Sequence, residues 1–177
     1  MKTVFFDIDT QIDFLYPAGA LYVPGAERIV PAIANLNRHA PFVISTMCAH
    51  SEDDPEFKAF PHHCVVDTVG QRKPAATLLD KQVILEKQEL DSFSNPRLTP
   101  LLDELGAERC IVYGVVTEIC VRFAAFGLLK TGRRVEIVTD AVHALDESAA
   151  SKMFDEFIAA GGKLTTQSAV LAESFAS

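Results

Sequence analysis

The stretch RCIVYGVVTEICVRFAAFGLLK, residues 109–130, decides the fold class. Its opening RCIVYGV is β-branched and apolar, which predicts a buried strand over 109–115. Residues 118–130 are almost wholly apolar and predict a buried helix. Thr117 stands between the two, in a position typical of a helix N-cap. A strand that leads straight into a helix is the repeating unit of a parallel sheet covered by helices.

The same alternation of strand and helix patterns extends outward in both directions. Further short β-branched or aromatic runs predict strands at 3–8, 42–46, 82–87, 134–140 and 163–167. Apolar spacing and capping residues predict helices over 26–40, 96–105 and 146–160. Six strands with at least four helices predict a single-domain, three-layer α/β fold over 1–177, with a doubly wound parallel sheet. In such a sheet the functional site lies beyond the carboxyl ends of the strands.

Composition argues against several classes of function. The chain has 177 residues, 49% of them apolar, and its net charge of −8 argues against a nucleic-acid surface or a polybasic membrane contact. The sequence contains no apolar run of the roughly 20 residues that a membrane-spanning helix needs. The N-terminal MKTVFFDIDT lacks the pattern of a secretory signal, so a cytoplasmic location is expected, with the four cysteines as free thiols.

Cys120 is the strongest candidate nucleophile in the sequence. The turn places it at the third position of the predicted helix, where unpaired N–H groups and the positive end of the helix dipole favour a thiolate. The alternative is a small buried apolar residue, which is a common role for cysteine. Cys110 lies inside a predicted strand, where that second interpretation is favoured.

Two further strand ends carry groups that can assist a nucleophile. Lys87 ends the strand VILEK and either reaches solvent or directs its charge at the site. Asp7 and Asp9 lie two residues apart, on one face by strand periodicity, and either is a candidate proton carrier. An acid, a lysine and a cysteine at three strand ends form a coherent nucleophilic site.

These residues lie in motifs that resemble those of the isochorismatase-like cysteine hydrolases, among which nicotinamidases are nearest in pattern. The motifs are DTQIDF (9–14), LYVPGAE (21–27), LEK (85–87) and GVVTEICV (114–121). The resemblance implies a sheet order of 3-2-1-4-5-6. It also implies a catalytic triad of Asp9, Lys87 and Cys120. Because the match falls on Asp9, the resemblance selects this residue over Asp7.

The resemblance further implies the reaction and its surroundings. The peptide between Val115 and Val116 should be cis, and the N–H groups of Val116 and Cys120 should form an oxyanion hole. A small amide would be cleaved at its C–N bond through a thioester on Cys120. The alternatives are a metal-free relative acting on a ureido acid, a carbamoyl compound or a vinyl ether, and a non-catalytic small-molecule-binding protein. A homodimer or homotetramer is expected, without an organic cofactor.

The long irregular segment 47–79 carries a second set of polar residues. By the same resemblance, His50 and His63 match two ligands of the divalent metal that nicotinamidases bind. Cys48 stands where an aspartate ligand is expected, and Glu56 falls near a missing histidine. All four side chains are competent ligands, and one zinc, manganese or iron ion is the implied cofactor. The alternative is a polar loop whose histidines form local hydrogen bonds.

The resemblance places three other residues around the pocket, and strand position adds a fourth. Phe14 and Phe60 occupy positions where the family stacks aromatic side chains on a flat ring, although core packing is the alternative for each. Asp67 replaces the usual glycine and is expected to reshape the rim of the pocket. His143 follows the fifth strand, near the expected mouth, and no chemical role is assigned to it.

Overall fold

A computed structural model describes residues 1–175 as a six-stranded, all-parallel sheet with helices packed against it. The strands are β1 (Thr3–Ile8), β2 (Val43–Cys48), β3 (Val83–Lys87), β4 (Arg109–Val115), β5 (Arg134–His143) and β6 (Lys163–Thr165). Their order in the sheet is β3-β2-β1-β4-β5-β6. The predicted α/β class, parallel sheet and strand order are confirmed.

The helices form two groups that contact different neighbours. The α-helices of the described chain are α1 (Ile12–Leu15), α2 (Val30–His39), α3 (Leu98–Glu104), α4 (Arg122–Lys130), α5 (Glu147–Ala159) and α6 (Gln167–Phe175). Helix α2 contacts α6, and α4 contacts α5, as two helical layers require. Short 3₁₀ turns occur at Ala26–Ile29, Pro55–Lys58, Ala75–Thr77 and Ser92–Ser94. None of the helices within residues 1–175 has the length and apolar character needed to cross a membrane.

Strands β1 and β4 form the centre of the sheet, and nearly all of their residues are buried. Burial on both faces explains why both strands read as continuous apolar runs. The register places Ile8 beside Thr46 on one side and beside Gly114 on the other. Cys48 pairs with Lys87 in the same way. The residues that end or follow these strands therefore meet at the carboxyl edge of the sheet.

Gly114 allows close approach of the two central strands just before the turn. Its φ is +122°, and a Cβ at this position would overlap the backbone carbonyl of Ile8. Glycine is therefore required at this point of the GVVTEIC motif.

The structure corrects the predicted helix around Cys120. The chain first forms a π-helical turn over Thr117–Val121, and α4 follows it. The N–H of Val121 donates to the carbonyl of Val116, five residues back, which is π rather than α spacing. Val116 is therefore the N-cap, and the prediction of Thr117 as the cap is wrong.

Other element boundaries differ from the prediction by a few residues. Helix α3 starts later than predicted, since the Asn95 side chain accepts the N–H of Arg97 ahead of the first helical residue. Strand β5 continues three residues further, to His143. Helix α6 was not predicted at all. Its first N–H, from Gln167, donates to the carboxylate of Asp140 on β5, a contact that no local sequence pattern indicates.

The irregular segment between β2 and β3, residues 49–82, is called the long loop below. It contains two of the 3₁₀ turns. Two side chains at the start of α1 hold it against the sheet. Gln11 Nε2 donates to the carbonyls of Cys48 and Gln71, both at 2.8 Å. Asp13 accepts the N–H of Cys64 at 2.7 Å. The polar loop is thereby held beside the carboxyl edge of the sheet.

Candidate active site

Asp9 follows β1 in a left-handed backbone conformation (φ +48°), which aspartate tolerates better than most residues. Its fully buried carboxylate lies 2.8 Å from Nζ of Lys87 and accepts a hydrogen bond from Oγ1 of Thr46 at 2.6 Å. Burial opposes ionisation, but Lys87 and Thr46 outweigh it, so the pKa of Asp9 falls below its ordinary value. Asp9 is therefore a carboxylate at neutral pH.

Lys87 points into the same site rather than to solvent. Its Nζ lies 3.4 Å from Sγ of Cys48 and 3.9 Å from Sγ of Cys120, and it donates to the carbonyl of Glu89 at 2.9 Å. Burial lowers the pKa of Lys87, whereas Asp9 and the two thiols raise it, and the net effect is a raised pKa. The side chain is therefore an ammonium ion shared between a carboxylate and two sulfur atoms.

Cys120 is 6% exposed, and its thiol interacts with the Asp9 carboxylate. Burial raises the pKa of the Cys120 thiol far above its ordinary value. Lys87 opposes this rise and Asp9 adds to it. The helix start and Lys87 favour a thiolate, but enclosure of the sulfur outweighs them and favours the thiol. The site holds a thiol in contact with a carboxylate that can accept its proton.

Cys48 is a second thiol beside the same ion pair. Its Sγ lies 3.7 Å from Oδ2 of Asp9 as well as 3.4 Å from Nζ of Lys87. Burial, followed by the charge of Asp9, raises the pKa of this thiol. Cys48 was predicted as a possible metal ligand, but the structure groups its sulfur with Asp9 and Lys87 instead. Within residues 1–175, one group of side chains is arranged so that it could hold a metal ion, and Cys48 is not a member of it.

That group consists of His50, Glu56 and His63, whose ligand atoms lie within 4.8 Å of one another. Nε2 of His50 is 4.0 Å from Oε2 of Glu56, and Nε2 of His63 is 3.6 Å from Oε1. Two imidazoles and one carboxylate form a common zinc-binding set. The structure thus brings three of the four predicted ligand residues together.

The two histidines present the nitrogens that an ion would need. Nδ1 of His63 lies 2.7 Å from the carbonyl of Pro61, which can only accept, so Nδ1 carries the proton and Nε2 keeps its lone pair. Burial lowers the pKa of His63, which favours this neutral form. Nε2 of His50 is buried and has no hydrogen-bond partner within the described residues. An orphaned nitrogen that faces a carboxylate and a second imidazole fits a metal ion.

A small pocket joins the thiol to this three-residue group. The residues that line it are largely apolar: Phe14, Cys48, Glu56, Phe60, His63, Leu90, Val115, Val116, Ile119 and Cys120. Phe14 is buried and its ring centroid lies 5.4 Å from that of His63, while Phe60 is 36% exposed at 6.4 Å. Both predicted aromatic residues therefore flank the pocket. The Val115–Val116 peptide in its wall is cis, as the resemblance implied.

Three other residues lie outside this arrangement. His62 stacks on Phe57, with ring centroids 4.2 Å apart, and is not part of the ligand group. His143 contacts the carbonyl of Pro24 through Nε2 at 2.8 Å. Asp67 adopts φ +67°, the backbone conformation that glycine would favour at this position. The substitution therefore keeps the glycine-like conformation of the loop.

Sequence reasoning assigned no role to four supporting residues. Gln11 and Asp13 belong to the DTQIDF motif, and their polar character inside an apolar context was an available signal. Thr46 ends a predicted strand next to Asp9, and its hydroxyl donates to that carboxylate. Asp54 contacts His50 from within the long loop, and its place among several acids there gave no distinguishing signal.

The strand order defines the chain as a doubly wound α/β protein, and a buried acid, lysine and cysteine meet at the edge of its sheet. In a comparison with models of known protein families, the model of the isochorismatase domain matches residues 3–169. The chain therefore belongs to the isochorismatase family, and the resemblance seen in its motifs is confirmed.

Individual relatives are similar over nearly the whole chain. The nicotinamidase of Acinetobacter baylyi (strain ATCC 33305 / BD413 / ADP1) is 26% identical over 188 aligned positions, covering 87% of each chain. The pyrazinamidase of Pyrococcus horikoshii in complex with zinc has a TM-score of 0.87 at 28% identity, covering 94% of this chain and 99% of that one. PnC1 from L. infantum in complex with nicotinate has a TM-score of 0.88 at 29% identity, covering 94% and 93%. These relatives identify the chain as a hydrolase of the amidase class.

Proposed function

We propose that this protein is a cytoplasmic cysteine amidase that hydrolyses the C–N bond of a small, flat amide such as nicotinamide or pyrazinamide. The main support for this proposal is that Cys120 lines an apolar pocket and interacts there with both Asp9 and Lys87. The nicotinamidase and pyrazinamidase relatives support the substrate class. Phe14 and Phe60 flank the pocket at positions suited to stack on a planar ring.

The chemistry follows from the charges of the three central residues. The Cys120 sulfur attacks the amide carbonyl while its proton passes to the Asp9 carboxylate. In the free protein this transfer is unfavourable, since the pKa of Cys120 is raised and that of Asp9 is lowered. Bond formation to the substrate must therefore accompany it. Lys87 stays protonated and compensates the negative charge that moves onto sulfur.

The remaining steps return the site to its starting state. The N–H groups of Val116 and Cys120 would donate to the carbonyl oxygen as it becomes an oxyanion. Asp9 then gives its proton to the departing nitrogen, and ammonia or an amine leaves a thioester on Cys120. Water attacks the thioester, Asp9 takes a proton from that water, and the proton passes back to the thiol as the carboxylic acid is released.

His50, Glu56 and His63 would hold one divalent ion, with zinc, manganese and iron as the candidates. When bound, the ion would supply a positive charge and an open coordination position that orients a ring nitrogen or a water molecule. Cys48 takes no part in this set, because its sulfur lies against Asp9 and Lys87.

The test is an ammonia-release assay on nicotinamide, pyrazinamide and a series of aliphatic amides, with and without added zinc or manganese. We expect turnover of the ring amides by the wild-type protein and loss of turnover in Cys120→Ala, with an unchanged circular dichroism spectrum. A Cys120→Ala protein that retains turnover would overturn the mechanism. Light scattering on the same samples tests the expected homodimer or homotetramer.

A further inference from the structure

Asp54 contacts two of the three residues in the candidate metal group with one carboxylate. Its Oδ2 lies 2.9 Å from Nδ1 of His50, and its Oδ1 accepts the backbone N–H of Glu56 at 2.8 Å. The side chain of Asp54 is 9% exposed, so both contacts are shielded from water.

We propose that Asp54 is a positioning residue, which presets His50 and Glu56 for an ion before any ion arrives. The inference rests on the proposed metal-binding function, and it concerns the arrangement of the metal-free protein.

The contact with His50 fixes which nitrogen of the ring carries the proton. An ionised carboxylate can only accept, so the Nδ1 of His50 is the donor. In the neutral ring, Nε2 then has a free lone pair. This nitrogen is buried, has no hydrogen-bond partner among the described residues and lies 4.0 Å from Oε2 of Glu56. A carboxylate behind a histidine is the usual means of orienting a metal-binding imidazole.

The contact with the backbone N–H of Glu56 fixes the position from which the Glu56 side chain leaves the backbone. Asp54 is the N-cap of the 3₁₀ turn Pro55–Lys58, and its Oδ1 satisfies a backbone N–H at the start of that turn. Glu56 is the second residue of the turn, so the cap sets where its side chain leaves the backbone. From there its carboxylate lies between the two imidazoles, at 4.0 Å from His50 and 3.6 Å from His63.

Asp54→Asn is the informative variant, because asparagine keeps the shape but offers only one acceptor oxygen. It can accept from His50 or from Glu56, and its NH₂ group then faces the other donor. Asp53→Asn is the matched control. Asp53 is adjacent and exposed, and it makes no hydrogen bond or ion pair within residues 1–175.

The first measurement is zinc affinity by competition with a chromophoric chelator, on wild type, Asp54→Asn and Asp53→Asn. We expect roughly 10–100-fold weaker zinc binding in Asp54→Asn and wild-type affinity in Asp53→Asn. Circular dichroism must show that all three proteins are folded. Zinc binding by Asp54→Asn within about twofold of wild type would overturn the proposal.

The second measurement is the tautomer of His50 in the metal-free protein, by ¹H–¹⁵N spectra of histidine-labelled samples, with His50→Asn for assignment. We expect a proton on Nδ1 in wild type and in Asp53→Asn, and a change of tautomer in Asp54→Asn. An identical tautomer in all three, together with unchanged zinc affinity, would contradict the proposal. If no protein binds zinc, the metal function fails, while the tautomer still decides whether Asp54 orients His50.

Discussion

The chain contains two buried carboxylate–ammonium pairs that begin two residues apart at the end of β1. Asp7 lies 2.9 Å from Nζ of Lys73, and Asp9 lies 2.8 Å from Nζ of Lys87. All four side chains are inaccessible to solvent. The two pairs therefore share chemistry, spacing and burial, and they differ in what surrounds them.

The Asp7 pair is closed on every side by other polar groups. Thr10 donates to one oxygen of Asp7 and Asn37 to the other, and Tyr113 donates to Asn37 in turn. Lys73 also donates to Thr10. A network in which the members satisfy one another rigidifies the region and leaves no group free to react.

The Asp9 pair, by contrast, has two thiols beside it. Cys48 contacts both members of the pair, Cys120 contacts Lys87 and interacts with Asp9, and both thiols line the pocket. In the proposed mechanism, the remaining contacts separate a structural ion pair from a chemical one, because burial and distance are alike in both. Four experiments test this distinction.

The largest effect is expected when both charges of a pair are removed together. We predict that Asp9→Asn/Lys87→Met loses at least about 10³-fold in amide turnover, because proton transfer and charge compensation both disappear. Asp7→Asn/Lys73→Met should keep its activity within about tenfold. Removing both partners avoids leaving one ion buried and unpaired, so both proteins should fold. The measurement is kcat/KM on the best amide, beside circular dichroism.

The outcome that would contradict this prediction is a folded Asp7→Asn/Lys73→Met protein as inactive as the other double variant. Asp7 and Lys73 would then belong to the chemistry, and the contrast between the two pairs would be lost.

The difference between the two ion pairs could be predicted from the sequence only in part. Asp7 and Asp9 have the same residue type and strand face by periodicity, so the pattern left both open as proton carrier and only the family motif selected Asp9. Lys73 gave no signal, since it lies in a segment without periodicity. The strands were predictable because burial of the central sheet demands continuous apolar runs.

Other properties of the site depend on contacts that are distant in sequence. The protonation state of Cys120 is set by its enclosure together with Asp9 and Lys87, whereas the sequence showed only its place near a helix start. Likewise, Glu56 rather than Cys48 joins the two histidines because of how the long loop folds back, which no local spacing encodes.

The next largest effect is expected on stability when one partner alone is removed. Lys73→Met leaves the Asp7 carboxylate buried without its counter-ion, and we predict a loss of about 3–5 kcal/mol in the free energy of unfolding. Urea denaturation of the single variant measures it. Adding Asp7→Asn in the same chain should recover most of the loss. Equal stability of the single and double variants would show that the Asp7 charge is solvated in some other way.

The pH dependence of stability and of kcat/KM should show the range over which the Asp9–Lys87 pair stays ionised. The lowered pKa of Asp9 contributes stability above the ordinary value of 3.8, and this is lost as pH falls through the still lower folded-state value. The raised pKa of Lys87 contributes stability that is complete below the ordinary value of 10.5 and is lost as pH rises through the folded-state value. Between about pH 5 and 9 the pair stays ionised, so kcat/KM with saturating zinc should be flat.

A profile of kcat/KM against pH, recorded beside urea denaturation at the same pH values, checks this expectation. A break in kcat/KM near pH 7 that persists in Asp7→Asn/Lys73→Met would contradict an Asp9–Lys87 pair that stays ionised across this range.

The smallest effect is expected at the far end of the Asp7 network. Tyr113 is fully buried and donates to Oδ1 of Asn37 at 2.6 Å. Tyr113→Phe deletes this single hydrogen bond and should cost about 1 kcal/mol, or about 2–4 °C in Tm, with unchanged kcat/KM. Thermal denaturation and the amide assay measure both. A tenfold fall in kcat/KM at unchanged Tm would link the network to the chemistry after all.

An isolated β-bridge between His50 and Val65 joins the two ends of one part of the long loop. The N–H of His50 donates to the carbonyl of Cys64, and the N–H of Val66 donates to the carbonyl of His50. The ends of residues 51–63, which include Glu56, are thus held together, and we expect this segment to open locally while the sheet stays folded. The residence time of a metal ion would then depend on this local opening rather than on global unfolding, and hydrogen exchange of the loop amides would measure it directly.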